Sequence, residues 1–461
     1  VFLRIGKGKN VSRGRLLALA CLRWGTMLML VSCTAQLAVF PVQSYVFGIV
    51  TPGFWLNLLW LPLLTFVTLP CAALGAMLCA CGAQGAAQAM LWAASAPPDF
   101  ILWLLGSLEH VGGISAVQCL RFSPVAMLGM SACLSAMSAA AERRLKRMPC
   151  PGAARRLLLC GIVLIPLGQM PVLLEHAERD QPGSVRLRLL DVGQGQSVLI
   201  ECGGKRILVD GGGSASPYFD CGKSIVALAL THGRLPRLDV VAVSHTDMDH
   251  ARGLRWILAH FGIKEFWWST HAEAEIESHD GAALKNITQK RKIPVRTVAR
   301  GDVMELGDGL RMEVLWPPRA ESVRRSANDA SLVLRLVRNG KGLALLCGDI
   351  KTAAIKDMMR MGSEVRAEVL VLPHHGAASS YSSELYGAVQ PEISLAATGA
   401  FNQYGFPGKK VKNACDQRGI PLYSTGEEGE IAVEWRFDDE VQAERRMIDM
   451  PFGRLFPKSN R

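Results

Sequence analysis

The chain follows two hydrophobic patterns in succession. From Leu16 to Ala141 the only Asp, Glu, Lys or Arg residues are Arg23, Asp99, Glu109 and Arg121. A water-soluble domain carries far more charge, so apolar runs of this length predict membrane-crossing helices. The pattern predicts spans near residues 16–40, 53–82, 85–107 and 122–140, and a fifth near 157–174. Pro97-Pro98-Asp99 interrupts the third, the weakest of the five, for which a re-entrant or interfacial segment is the alternative to a crossing. Trp55, Trp60, Trp92 and Trp103 suit the membrane interface. Asn57 and Asp99 are expected to face a bundle interior or to reach the headgroups.

After the linker His176–Gly183 the period changes to two. Strands are predicted over 185–190, 197–201, 206–210, 310–316, 332–337, 343–346, 369–372, 393–397, 421–424 and 430–435. Helices are predicted at 254–260, 353–361 and 409–418. Hairpins mixed with helices predict an α+β domain of two packed sheets with helices outside. The expected division is an α-helical transmembrane region with its linker, residues 1–183, followed by that domain, residues 184–461. Because the chain opens at Val1 rather than Met, a preceding segment is expected.

The formal net charge is +11. Such a balance suits a phosphate-bearing partner, nucleic acid or anionic lipid, but basic cytoplasmic loops produce it as well. Arg4, Lys7, Lys9, Arg13 and Arg15 precede the first span, and Arg143, Arg144, Lys146, Arg147, Arg155 and Arg156 precede the fifth. Positive charge marks the cytoplasmic side, and four crossings lie between these segments. The fifth span then carries everything after about residue 180 out of the cytoplasm. The 13 cysteines show neither disulfide-framework nor zinc-finger spacing.

Chemistry gathers where strands end. Val240-Val241-Ala242-Val243 runs directly into Ser244-His245-Thr246-Asp247-Met248-Asp249-His250. Imidazole and carboxylate are the usual donors to Zn, Mn and Fe, and a short loop after a buried strand can bring four of them to one point. The simpler reading is a polar turn capping a helix, with Asp249 as N-cap. Asp210 follows another apolar run, Asp349 a third, and His374-His375 a fourth. An Asp after a strand is usually a turn former, but four strands each ending in Asp or His point jointly to metal.

The order Asp-Gly at 210–211, His-x-Asp-x-Asp-His at 245–250, Gly-Asp at 348–349 and Pro-His-His-Gly at 373–376 resembles the metallo-β-lactamase fold. Three further pieces, Leu190–Gly195, Asn328–Leu334 and Asn402–Pro407, are similar to the ComEC family of bacterial competence proteins, which import DNA. The stretch around Gln36–Pro62 resembles that family's membrane region. The resemblance implies an αββα sandwich binding divalent metal ions as a pair, with Mn, Zn and Mg all open. It implies His245 and Asp247 on one ion, Asp249 and His250 on the other, Asp349 bridging, and His375 or His374 completing the set. Asp210 would orient the histidine loop; Asp210 and Asp249 would be the catalytic carboxylates. Asn328, Ser331, Asn402 and Tyr404 would contact substrate. Arg252, Lys409 and Lys410 suit phosphates, and Tyr404 or Phe406 suits a stacked base. Gln196, Ala251-Arg252, Ala377 and Phe406 depart from the family's usual residues.

The function so implied is DNA uptake: a multi-pass protein of the bacterial inner membrane, with an extracytoplasmic metal-dependent phosphodiesterase or nuclease degrading the strand that is not transported. The partners implied are single- or double-stranded DNA, the lipid bilayer and other competence proteins. Two rivals remain, a non-cleaving DNA transporter or binder and a membrane-anchored metallohydrolase of another ester.

Overall fold

The computed structural model describes residues 13–51, 53–110, 114, 116–216, 218–269, 278–319, 326–435 and 441–446. Arg4, Lys7 and Lys9 lie outside them. Two compact units emerge. One takes in the chain up to Tyr45, Ile49–Val117 and Pro124–Ile165; the other takes in Val46–Gly48, Gln118–Ser123 and everything from Pro166 onward.

Long apolar helices dominate the first unit: α1 (Arg13–Val46), α2 (Asn57–Leu63), α3 (Leu69–Ala80), α4 (Gln84–His110), α5 (Pro124–Leu145) and the first half of α6 (Gly152–Arg179). Among the described residues, five helical stretches are long and apolar enough to cross a bilayer, at Ala18–Val46, Gly53–Ala80, Gln84–Leu108, Pro124–Leu145 and Gly152–Arg179. Each overlaps one of the spans expected from the sequence. The expected break in the third is absent: α4 runs through Pro97 and Pro98. The remaining hydrogen bonds of a helix this long carry it past the missing donors, as in other spanning helices. Large apolar side chains point outward, with Phe66 70%, Met77 66% and Leu22 66% exposed. Water would not tolerate such a surface, and lipid does. Inside, helices meet through small residues: a Cβ on Gly161 would lie 2.6 Å from the Gly129 carbonyl oxygen across α5 and α6. Asn57 faces the bundle, donating to Ser32 Oγ at 3.2 Å.

The second unit is a sandwich of two sheets. The first sheet holds β1 (Val185–Leu189), β2 (Val198–Cys202), β3 (Lys205–Val209), β4 (Arg237–Ala242), β5 (Gly262–Ser269) and β6 (Val295–Val298). The second holds β7 (Val303–Gly307), β8 (Leu310–Trp316), β9 (Val333–Arg338), β10 (Lys341–Leu346), β11 (Val369–Val371), β12 (Ile393–Ala396) and β13 (Leu422–Ser424). The chain then returns to the first sheet, with β14 (Glu430–Trp435) against β1 and β15 (Val441–Arg446) outside it. The sequence reading omitted β5 beside β4, β6 beyond it and the edge strand β7, whose mixed burial lacks clean alternation, and it also omitted β15.

Period-two patterning explains the layers. Ile207, Val209, Val240 and Ala242 enter the core between the sheets, with Leu334, Leu346, Val369 and Leu395 from the facing sheet. Leu208, Val241 and Val243 point the other way and pack under Leu254, Ile257 and Leu258 of α9 (Leu254–His260). Val333, Leu345 and Leu370 likewise lie under Ile355 and Met358 of the second sheet's outer helices. The result is the αββα order.

At the first sheet's edge the chain has no room for side chains. A Cβ on Gly253, between a short helix at Met248–Ala251 and α9, would come 2.0 Å from the Gly211 carbonyl oxygen; one on Gly213 would come 1.9 Å from that of Met248. These contacts clamp the Asp210 loop onto the His245–His250 loop. Gly253→Ala should therefore cost about 1–3 kcal/mol through overpacking, read as a lower midpoint of thermal unfolding for the full chain. An unchanged midpoint would show that the clamp has slack.

Candidate metal centre

Each sheet contributes a pair of parallel strands ending at the same edge. Val209 of β3 lies beside Ala242 of β4, and Leu346 of β10 beside Val371 of β11. Parallel neighbours release their following loops on one side. Asp210, Ser244–His250, Asp349 and His374-His375 therefore arrive together although up to 165 positions separate Asp210 from His375.

Asp349 is the hub. Its Oδ1 lies 3.1 Å from His250 Nε2 and 3.6 Å from His375 Nε2. Its Oδ2 lies 3.7 Å from His374 Nε2 and 4.0 Å from His245 Nε2. Asp249 Oδ2 stands 3.4 Å from His375 Nε2, and Asp247 Oδ2 stands 3.5 Å from His245 Nε2. Two donors each about 2.1 Å from a tetrahedral ion are about 3.4 Å apart, so these separations suit shared ions. His245, His250 and Asp349 form one compact triad; Asp249, His250 and His375 form another. The capping alternative does not describe this loop: Asp247, not Asp249, takes the N-cap position of α8 (Met248–Ala251), and it makes no side-chain capping bond.

The electrostatics point the same way. Burial by itself would push the Asp349 carboxyl up, but the His250 and His375 charges and the His250 hydrogen bond outweigh it and hold it well below the usual carboxylate range. Asp249 is held low against the same penalty, chiefly by its hydrogen bond with His375. His250, also opposed by burial, is raised well above an ordinary histidine because Asp349 and Asp210 flank it. The neighbouring His245 imidazole lowers Asp247, while burial lowers His374. His245 Nε2 is buried with no hydrogen-bond partner. An orphaned imidazole nitrogen facing carboxylates fits a divalent ion, and the mixed N and O donor set is of the kind such ions take.

Asp210 stands behind the ligands. Its carboxylate accepts from Ser244 N at 2.7 Å, Ser244 Oγ at 2.8 Å and Gln196 Nε2 at 3.0 Å, and it contacts His250 Nδ1 at 2.8 Å. A carboxylate on Nδ1 fixes the tautomer that turns Nε2 toward the centre. Ser244, which the sequence reading gave no role, also lies 3.0 Å from His245 Nδ1. Its only signal was its position as the first polar residue after the β4 run. Gln196, read from sequence only as a departure, is a partner of Asp210.

The four residues expected at substrate separate into different surroundings. Asn328 Nδ2 lies 3.5 Å from Asp349 Oδ2, at the centre's margin. Ser331 is fully buried, its Oγ accepting from Asp349 N at 3.1 Å. The Asn402 amide holds its own loop, donating to Phe406 O and accepting from Tyr404 N. Tyr404 is 60% exposed and stacks on Phe406 at 5.5 Å, and Phe406 stacks on His375 at 6.4 Å. Arg252 binds Ser214 O at 2.9 Å and faces Asp280 at 3.5 Å, whereas Lys409 and Lys410 are exposed.

His250 must lose a proton before Nε2 can bind metal, and its raised pKa keeps that proton on the metal-free protein through neutral pH. Metal affinity should therefore climb with pH, by at most about tenfold per unit for one proton. Asp210→Asn should weaken binding by about ten- to a hundredfold and flatten that dependence, because His250 then carries its proton less firmly. Calorimetric metal titrations from pH 6 to 8 test both; an affinity insensitive to pH in the unaltered protein would exclude His250 as a ligand.

Residues 11–144 match the "Competence protein" family model, and residues 190–323 match the "Metallo-beta-lactamase superfamily" model. "ComE operon protein 3" of Bacillus subtilis is 24% identical over 433 residues, covering 90% of this chain and 52% of its own length. "Competence protein ComA" of Neisseria gonorrhoeae is 29% identical over 244 residues, covering 52% of this chain and 31% of its own. Among solved structures, Igni18, a metallo hydrolase from Ignicoccus hospitalis, is 16% identical and covers 54% of this chain and 100% of itself, with a TM-score of 0.36. The chain spans about half the length of the Bacillus relative it matches. It joins a competence-protein membrane region to a domain of the metallo-beta-lactamase superfamily.

Proposed function

We propose that this chain is a ComEC-type DNA-uptake protein whose C-terminal domain, residues 184–461, hydrolyses DNA phosphodiesters beside the membrane path. The observation that carries the reading is the continuity between the histidine–aspartate cluster and an outward aromatic ladder, His375 to Phe406 to exposed Tyr404. Bases of any identity stack on such rings, at about 1–3 kcal/mol each. Lys409 and Lys410 follow the same loop and supply charge for backbone phosphates.

A divalent ion contributes Lewis acidity and lowers the pKa of the water it holds to about 7. The residues do the rest. Asp349, His245, Asp249, His250 and His375 would hold the ions, with Asp247 and His374 at the periphery. Asp249 stays ionised, and its carboxylate would accept the proton that the attacking water gives up. Asp210 keeps His250 in the ligating tautomer. Mn, Zn and Mg all remain within reach of the donor set, and a pair of ions would have to divide the two overlapping triads, because the single free Nε2 of His250 can serve only one of them.

Full-length protein with Mn²⁺ should cleave single-stranded DNA, and chelator should stop it. Asp249→Ala should lower kcat by at least about a hundredfold. Tyr404→Ala should instead raise KM, by about ten- to a hundredfold for the loss of one stacked base. DNA binding without cleavage would favour a non-cleaving transporter, and neither would favour hydrolysis of another ester.

We further propose that the C-terminal domain is extracytoplasmic, a reading supported by the basic segments and the five apolar helices. A reporter enzyme active only outside the cytoplasm, fused after Arg461, should be active. A silent but intact fusion would reverse the orientation.

A further inference from the structure

A second cluster of buried charge lies at the other end of the same strands. Along the first sheet's outer face, Glu434, Arg186, Glu201 and Arg206 sit opposite one another on β14, β1, β2 and β3. Arg186, Glu201 and Arg206, with Arg188, Glu430 and the last turns of α6, line a half-open cavity of ≈140 Å³. It belongs wholly to the second compact unit. Arg206 and the metal-centre residue Asp210 are four positions apart on β3, about 13 Å at 3.3 Å per residue. The cavity is thus separate from the metal centre.

Six arginines line it: Arg121, Arg179, Arg186, Arg188, Arg206 and Arg234. They face three glutamates, Glu175, Glu201 and Glu430. Asp180, 2.7 Å from Arg234, and Glu434, 2.9 Å from Arg186, add two acids from outside the lining, and cations still outnumber acids. Arg121, Arg186 and Arg206 are each no more than 6% exposed. Burial and neighbouring arginines push Arg186 down to about 10. Burial also takes Arg206 down to about 10, against Glu201 and with Arg234 and Arg188. An enclosed anion would relieve that crowding. The volume equals about four to five waters at ≈30 Å³ each, room for one tetrahedral anion. Guanidinium forks match phosphate oxygens in pairs.

The position favours one source of that phosphate. Glu175, His176 and Arg179 stand on the final turns of α6, at the C-terminal end of the last helix apolar enough to span among the described residues. His176 Nε2 meets His232 O at 2.8 Å, and Arg234 bonds Asp180 bidentately at 2.9 and 2.7 Å, so the helix end is fastened to the sandwich around the cavity. We propose that this cavity binds the phosphate of an anionic phospholipid headgroup, seating the sandwich at the membrane surface.

The full chain, reconstituted in nanodiscs of equal phosphatidylglycerol and phosphatidylcholine, should retain phosphatidylglycerol on release, read by native mass spectrometry. Arg179→Gln and Arg188→Gln should each lower that retention by about tenfold, the loss of one charge-assisted bond. Unchanged metal uptake certifies that each variant is folded. Equal retention of both lipids, or retention unaltered in the folded variants, would overturn the proposal. So would displacement of the retained lipid by millimolar inorganic phosphate, which would assign the site to the free ion, or by oligothymidylate, which would assign it to nucleic acid.

Discussion

A carboxylate sealed from water stays ionised only where positive charge or a metal surrounds it. Asp349, 3% exposed, meets that condition because four histidines from two loops turn Nε2 toward it within 4.0 Å. One of those loops follows a strand of Asp349's own sheet and the other follows a strand of the facing sheet. The sandwich must close before the charge is tolerable, so the metal centre and the relation between the sheets are one constraint. Ions would replace the proton on His250 as the source of that compensation, which makes metal binding a contribution to folding as well as to chemistry.

The local backbone shows how tightly the centre is aimed. Asp210, His374 and His375 all adopt positive φ, at 63°, 52° and 57°. Left-handed backbone at a non-glycine residue costs roughly 1–3 kcal/mol, and it persists here because strand ends, hydrogen bonds and glycine contacts overdetermine each residue. His374 N bonds Gly348 O at 2.9 Å, tying the histidine pair to the Asp349 loop. Gly408 N bonds Gly376 O at 2.9 Å, tying the aromatic loop to the histidine pair. A continuous track of contacts thus runs from Asp349 to Tyr404, and the turns that aim the histidines also place the exposed ring.

Much of this was legible in the sequence because strand ends are loud signals. An apolar run followed by Asp or His announces both burial and chemistry, and each of the four such runs ends at the centre. The five apolar stretches were equally plain, since lipid demands length and low charge whatever the tertiary packing. The silent parts depend on partners. Ser244 and Gln196 look like ordinary polar residues until Asp210 is found between them. Ser331 looked like a substrate contact, yet burial gives its hydroxyl to the Asp349 backbone. The prolines of α4 looked like an interruption because sequence alone does not reveal how much helix continues on either side. The arginine cavity was invisible for a different reason: its charges come from six separate segments, none of them a cluster in the chain.

Strands β3 and β4 gain from having polar anchors at both ends. Arg206 opens β3 by donating to Leu230 O at 2.7 Å and Arg237 O at 3.0 Å, the latter the first residue of β4. Asp210 closes β3 by accepting from Ser244 just beyond β4. Between them Leu208 and Val241 face the helices, and Ile207, Val209, Val240 and Ala242 face the other sheet. Apolar packing holds the pair in its layer but tolerates sliding along the strand direction; charge-assisted bonds at fixed positions do not. Register is therefore fixed from both ends, and with it the height at which His245 and His250 emerge. The cavity and the metal centre are coupled through that short ladder, since the bond that starts β3 at Arg206 helps set where β4 delivers its histidines.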